Sequence, residues 1–188
     1  MRSKGFFMLR SFLLTVLILI STSAYSETRI RIMAGNLTTG KKQSYDPGEG
    51  IRIIHGLQPD VVLLQEFNYK TNCPEDIQSF VDQTIGEKGY YYRESEASDQ
   101  IPNGILSRYP IIQSGEWEDA EIPNRDFAWA RIDIPGDHDL WVVSVHLSNK
   151  ESSRRAKEAN AILEYLAAQN IPADDYIAVG GEIGRAHV

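Results

Sequence analysis

Asp60-Val61-Val62-Leu63-Leu64-Gln65-Glu66-Phe67 is the stretch on which the fold turns. Four consecutive aliphatics after the turn signal Gln58-Pro59 read as a strand covered on both faces, as in the middle of a sheet. Such a strand is expected to stay apolar or to stop at a turn. This one ends in an amide and a carboxylate instead. A buried carboxylate without a partner is costly. Glu66 therefore either meets a cation, and magnesium prefers carboxylate oxygen, or caps the strand at a sheet edge and points into water.

Upstream, Arg29 to Asn36 alternates charged and apolar residues, turns small at Ala34-Gly35, and reads as a strand stopping at Asn36. Leu37 to Gly48 is a loop rich in Thr, Gly, Lys and Ser; its Lys41, Lys42 and Tyr45 either touch a substrate or are simply solvated. Ile51, Ile54 and Leu57 at helical spacing predict a short helix over Gly50–Leu57. Downstream, Pro74 opens a helix carrying Ile77, Phe80, Val81 and Ile85, ending at Gly86. Tyr90-Tyr91-Tyr92, Asn103–Ser107 and Ile111–Trp117 read as strands. Phe127–Ile134 and Leu140–Leu147 flank Pro135-Gly136-Asp137 and predict a hairpin. The longest helix is expected over Glu151–Gln169, with Ala156, Ala159, Ile162, Leu163 and Leu166 inward and Arg154, Arg155, Lys157 and Glu158 on a solvated face. Asp175–Val179 is a last strand, followed by Gly180-Gly181. Interleaved strands and helices with a hairpin give an α/β or α+β class with mixed sheets.

The first residues carry an address rather than a core. Arg2, Lys4 and Arg10 precede the apolar run Phe12–Ile20, and Ala24-Tyr25-Ser26 offers small residues at a cleavage site, the pattern of a secretory signal peptide over 1–26. The apolar run is short for a membrane span. Export from a bacterial-type cell, to the periplasm or medium, is the expectation. Cleavage would move the formal charge from −7 to −10, since it removes three positive charges and no negative one. So acidic a chain is a poor non-specific nucleic-acid binder, although a local basic groove remains compatible with it. Cys73 is the sole cysteine, which excludes an internal disulfide and a cysteine-type zinc site.

Chemistry gathers where apolar runs end: Asn36 after the first strand, Glu66 after the central one, His146 within Val145-His146-Leu147, and Arg108 after Asn103–Ser107. If these ends converge, carboxylate, imidazole and amide form a set suited to metal-assisted hydrolysis, with Arg108 as a phosphate contact. Each also has a plainer reading, His146 as a satisfied core histidine and Arg108 as a solvated side chain.

Together, the strand ending at Asn36, Asp60–Glu66, Gly104-Ile105-Leu106-Ser107-Arg108-Tyr109-Pro110-Ile111, Ser144-Val145-His146-Leu147 and Ile177-Ala178-Val179-Gly180-Gly181 resemble the endonuclease/exonuclease/phosphatase superfamily, in the expected order across 29–181. The resemblance implies an α+β four-layer α/β/β/α sandwich with two mixed sheets, the domain occupying 27–181. It also implies hydrolysis of phosphodiester or phosphomonoester bonds with Mg2+ (or Mn2+). By position, Glu66 and Asn36 would be the metal site, Asn36 and His146 catalytic groups, and Arg108 a less firmly matched substrate contact. The implied substrates are nucleic acid, phospholipid or inositol phosphate, acted on by a monomer without a stable protein partner.

After Gly-Gly the family has Asp-x-Asn; here stand Glu182, Ile183 and Gly184, and the later Ser-Asp-His motif is absent. Ile183-Gly184-Arg185-Ala186-His187-Val188 is also the in-frame translation of a common short-read sequencing adapter. Residues 182–188 are therefore expected to be a non-native tail, with Glu182 standing where the family's catalytic aspartate belongs. On that reading the chain is an incomplete, inactive copy of a secreted phosphoesterase, with an incomplete second sheet and an exposed strand edge. The alternative is a non-catalytic binding module or pseudoenzyme on the same fold.

Overall fold

The computed structural model of the chain describes residues 29–38 and 43–184. The expected signal peptide over 1–26, Lys41 and Lys42 of the first loop, and residues 185–188 of the expected tail, with His187, lie outside the described residues.

Eight strands form two four-stranded sheets. The first contains β1 (Ile32–Gly35), β2 (Val61–Leu64), β3 (Tyr90–Arg93) and β4 (Gly104–Ser107) in the order β1-β2-β4-β3. Its β1–β2 pair is parallel and the others antiparallel. The second contains β5 (Ile111–Trp117), β6 (Phe127–Ile132), β7 (Leu140–His146) and β8 (Tyr176–Glu182) in sequential order, with only β7–β8 parallel. Each parallel pair needs a crossover, which α1 (Glu49–Leu57) and α3 (Ser152–Ala168) supply; α2 (Pro74–Thr84) joins β2 to β3.

Period-two alternation along β2 explains its unbroken apolar run. Val62 and Leu64 face outward into a cluster with Ile54, Ile77, Phe80 and Val81 from α1 and α2. Val61 and Leu63 face the other way, packing with Ile105 against Ala128, Ala130, Ile132 and Val142 of the second sheet. All four are at most 1% exposed, and burying each contributes about 1.5–3 kcal/mol. On the far side, Val143 and Val145 of β7 pack under Ile162 of α3. The layers are therefore helix, sheet, sheet, helix, both sheets mixed. The hairpin through Pro135-Gly136-Asp137 closes with Ile132 opposite Leu140, and Gly136 takes the left-handed φ of 129°.

The face of α3 differs from the sequence expectation. Leu163 is 64% exposed, whereas Glu158 is 1% exposed and Ile162 6%. Two long-range contacts set this rotation. The Glu158 carboxylate accepts the Ser148 amide on both oxygens, at 2.9 and 3.0 Å. Tyr165 stacks on Trp117 with centroids 5.3 Å apart, and the stack runs on through Trp129 to Trp141. The single Ser148 amide shared by both Glu158 oxygens, together with the Tyr165 stack, keeps this face of the helix inward. Neither Arg154 nor Arg155 is simply solvated: their guanidiniums donate to the carbonyls of Glu121 and Ser148.

Candidate active site

Both parallel pairs run the same way toward one end of the sandwich, so four strand ends meet there. Gly35 lies opposite Leu64, which brings Asn36 beside the Gln65-Glu66 exit. His146 lies opposite Glu182 in the second sheet. The Gly180-Gly181 pair closes the gap between the sheets. A Cβ on Gly180 would come within 3.1 Å of both Ala34 Cβ and Leu63 Cδ1. At Gly181, with φ of 145°, a side chain would collide with the Val145 carbonyl and press on the Gln65 amide. Two residues without side chains thus let β8 deliver Glu182 across to the first sheet.

Beneath the site a buried polar clamp fixes the two sheets. Gln65 follows Leu63 in alternation and faces the second sheet, where its amide donates to Ser144 Oγ at 3.0 Å. Ser144 Oγ in turn donates to the Leu64 carbonyl at 2.8 Å. His146 lies two residues on from Ser144, on the same face of β7, and so enters the same end of the inter-sheet space. The chain reverses at Glu66 with φ of 53°, and of the described non-glycine residues with positive φ it is the buried one. A left-handed residue costs roughly 1–2 kcal/mol, and such strain concentrates where function requires a particular side-chain position.

Side chains at this end converge on one carboxylate. Glu182 Oε2 accepts the Asn36 amide at 3.0 Å and lies 3.2 Å from His146 Nε2. Thr38 Oγ1 donates to Glu66 Oε2 at 2.9 Å. Asn36, Thr38, Glu66 and Glu182 border one hollow, which adjoins a cleft of about 390 Å³ extending past Arg125, His146 and Lys150. Burial, with the charge of Arg125, holds the His146 imidazole below its ordinary pKa, and the charges of Glu182 and Glu66 only partly oppose this. The ring is therefore neutral near pH 7, with one nitrogen available to take a proton. Among the described residues, His146 Nδ1 has no hydrogen-bond partner.

Arg125 supplies the cleft's buried positive charge. It is 8% exposed, and its guanidinium donates to the carbonyls of His146 and Leu147, tying the end of β7 to the β5–β6 loop. Burial lowers its pKa, but a guanidinium stays cationic. Behind the loop after β7, Asp119 stands against Glu158. Burial pushes Asp119 up to about 7, and the neighbouring Glu158 carboxylate reinforces the rise.

The structure gathers Asn36, Glu66, His146 and Glu182 and leaves Arg108 out. Because β4 is antiparallel to β2, Ser107 pairs with Val61 and Gly104 with Leu64, so Arg108 emerges at the opposite end. There its guanidinium donates to the Pro59 carbonyl at 2.9 Å and sits 3.8 Å from Asp60. The expectation of Arg108 as a substrate contact is thus corrected by strand direction. Sequence reading missed Arg125, Thr38 and Lys150. Arg125 lies in the turn Pro123-Asn124-Arg125-Asp126, where nothing distinguishes it from a solvated arginine. Thr38 was visible in Asn36-Leu37-Thr38, but its reach to Glu66 depends on the fold.

No family model matches the chain, and no curated protein matches it. Solved structures do. The fold superposes on TDP2 of D. rerio, a structure with a single-strand DNA product, with a TM-score of 0.61 at 18% identity over 84% of this chain and 62% of that one. It superposes on a mannosyl-6-phosphatase of Bacteroides thetaiotaomicron with a TM-score of 0.57 at 12% identity, over 82% of this chain and 65% of that one. An endonuclease/exonuclease/phosphatase family protein of the same organism gives 0.57 at 12% identity, over 82% and 63%. The chain thus spans less than two thirds of the length of these neighbours. At these identities the likeness is one of fold, a sandwich of two mixed sheets between helices that this chain shares with proteins described as endonuclease/exonuclease/phosphatase family members.

Proposed function

We propose that this end of the sandwich is the active site of a metal-dependent phosphoric ester hydrolase, and that this chain is the N-terminal part of it. One observation carries the reading. Two carboxylates from different sheets, Glu66 and Glu182, face a common hollow, and among the described residues neither has a lysine or arginine within ion-pair distance. Like charges held together in this way favour a cation between them. The donors suit Mg2+ or Mn2+, being carboxylate, amide and hydroxyl oxygens without sulfur. Thr38 occupies Glu66 Oε2, and no described donor takes Oε1.

Glu66 and the carboxylate at position 182 (Glu182 in this chain, an aspartate in the longer protein), with Asn36 beside them, would hold the metal; when bound, it supplies positive charge for a phosphoryl oxygen and a more acidic water. The chain's own groups do the rest. His146, held neutral by burial, turns the N–H of Nε2 toward the Glu182 carboxylate 3.2 Å away and leaves Nδ1, which has no hydrogen-bond partner among the described residues, as the nitrogen that takes a proton. The Asn36 amide donates to Glu182 and keeps that carboxylate turned into the hollow. Arg125 places a fixed positive charge on the cleft wall, where a phosphate ester carries its negative charge. Lys150 and Arg154 extend that wall. The substrate is a phosphate ester of nucleic acid, lipid or inositol. The pattern of residues 1–26 supports export to the periplasm or medium.

The test is hydrolysis of bis(p-nitrophenyl) phosphate and p-nitrophenyl phosphate with Mg2+ or Mn2+. It uses the 188-residue chain and the longer protein carrying Asp-x-Asn after Gly181. The longer protein is expected to be active and to lose activity with chelator; the short chain is expected to be inactive. A longer protein that folds and binds phosphate ester but never cleaves it would move the assignment to a binding module.

A further inference from the structure

Behind the wall of the cleft, two acid side chains meet in the interior. Asp119, in the loop from β5 to β6, and Glu158, on α3, are both buried. Asp119 Oδ1 accepts the Glu121 amide at 3.0 Å, whereas no described donor reaches Asp119 Oδ2, which is also buried. The Asp119 carboxyl is in hydrogen-bond contact with the Glu158 carboxyl, both of whose oxygens already accept the Ser148 amide. Two carboxylates in contact repel, and neither has a hydrogen to give the other. A proton on Asp119 turns the clash into a hydrogen bond and satisfies the oxygen left over.

Each acid also holds part of the cleft. Glu158 takes the Ser148 amide while Arg155 takes the Ser148 carbonyl at 3.0 Å, so α3 fixes the strap that runs from His146 to Lys150. Asp119 shares its loop with Arg125: its amide donates to Asp126 Oδ1 at 2.9 Å, and its carbonyl accepts the Ile122 amide at 3.2 Å. Asp119 and Glu158 both act on the Arg125 guanidinium, as do Glu182 and Glu66. Ionising Asp119 therefore places a second negative charge beside that of Glu158 and offsets the positive charge that Arg125 offers to the cleft. The other groups facing Asp119 supply it with no proton donor. Glu121 is held by Lys157 at 3.0 Å, Asp126 is itself a carboxylate, and the Tyr165 hydroxyl donates to the Glu118 carbonyl.

We infer that Asp119 and Glu158 are positioning residues: joined by one proton, they hold Arg125 and the Ser148 strap in place for the anion that the cleft binds. That the anion is a phosphate ester rests on the function proposed above; the pairing itself does not. Burial, reinforced by the Glu158 carboxylate, raises the Asp119 carboxyl to about 7. The pair is closed below that pH and broken above it, so anion affinity falls as pH rises through it. By linkage, an anion entering the cleft draws a proton onto Asp119. His146, held below its ordinary value mainly by burial, is already neutral there and contributes no part of this change.

The first test follows the Ser148 amide and the Arg125 side-chain N–H by NMR in the full 188-residue chain, from about pH 6.5 to about pH 8.5. Both signals are expected to shift together with a midpoint of about 7. In Asp119→Asn, whose amide takes the place of the proton, both are expected to stay at their low-pH positions throughout. Should that variant fail to fold, Glu158→Gln is expected to move the midpoint down toward the ordinary aspartate value of 3.8. The second test is calorimetric titration with bis(p-nitrophenyl) phosphate, a monoanion over the whole range. Affinity is expected to fall at least about fivefold across it. Proton uptake, read from the dependence of the heat on the buffer, accompanies binding near pH 7, and neither effect is expected in Asp119→Asn. Absence of a common titration, the same titration in Asp119→Asn, or an affinity independent of pH would overturn the inference. Common titration without binding at any pH would remove the phosphate-ester reading and uphold the positioning pair.

Discussion

The two ends of β2 carry the same kind of group and treat it in opposite ways. At the start of the strand, Asp60 accepts the Arg31 amide at 2.7 Å and faces the Arg108 guanidinium at 3.8 Å. Its charge is spent within the protein. Beyond the other end, Glu66 adopts a left-handed φ and stands across a hollow from Glu182, with one hydroxyl for a partner. One end holds the fold together, and the other leaves charge available. Residues of the first kind are expected to lower stability when removed, and those of the second to lower activity.

The largest contrast is expected from Glu66→Ala in the longer, active protein. Hydrolysis should fall by about 10²–10³-fold while the melting temperature changes little, since Glu66 has one hydroxyl for a partner. A large loss of stability with little change in rate would erase the distinction between the two ends.

Asp119, behind the cleft loop, offers an intermediate effect. Its folded pKa, about 7, lies above the unfolded value of 3.8, so the folded state holds a proton that the unfolded chain releases. That contribution is complete below the unfolded value and disappears as pH rises through about 7. Asp119→Asn is therefore expected to flatten the fall in unfolding free energy between pH 5 and 8, by about 2–3 kcal/mol, read from urea melts across that range. An unchanged slope would show that Asp119 holds no extra proton in the folded state.

Smaller effects belong to the opposite end. Asp60→Ala should cost about 1–2 kcal/mol through the lost Arg31 contact, measured by urea unfolding, with hydrolysis untouched. Arg108→Ala should cost under about 1 kcal/mol and leave the rate for phosphate esters unchanged. A rate loss on Arg108→Ala would restore it as a substrate contact and contradict the strand direction.

Much of the fold was legible because burial repeats along the chain. Val61–Leu64 could only be a doubly covered strand, and Pro135-Gly136-Asp137 between two apolar runs could only be a tight reversal. Asn36, Glu66 and His146, each standing where an apolar run stops, were legible as candidates, and the structure brings them to one end; Glu182 was marked only by the resemblance, as the residue in the aspartate's place. Legibility failed at Arg108, since a residue after a strand takes its place from the strand's direction, and antiparallel pairing turned β4 away. It failed again at Glu158, whose burial comes from a loop ten residues earlier rather than from the helix it belongs to.

What the sequence determined by itself is therefore local: the elements, the two-sided burial of β2, and the polar residues that end the strands, all consequences of periodicity and turn chemistry. Tertiary structure decided which of those ends meet. Two parallel pairs brought four of them to one end, Gly180 and Gly181 let the sheets close there, and a buried guanidinium from an unmarked turn completed the cleft. These choices depend on contacts between residues far apart in the chain, whose energies no local pattern encodes.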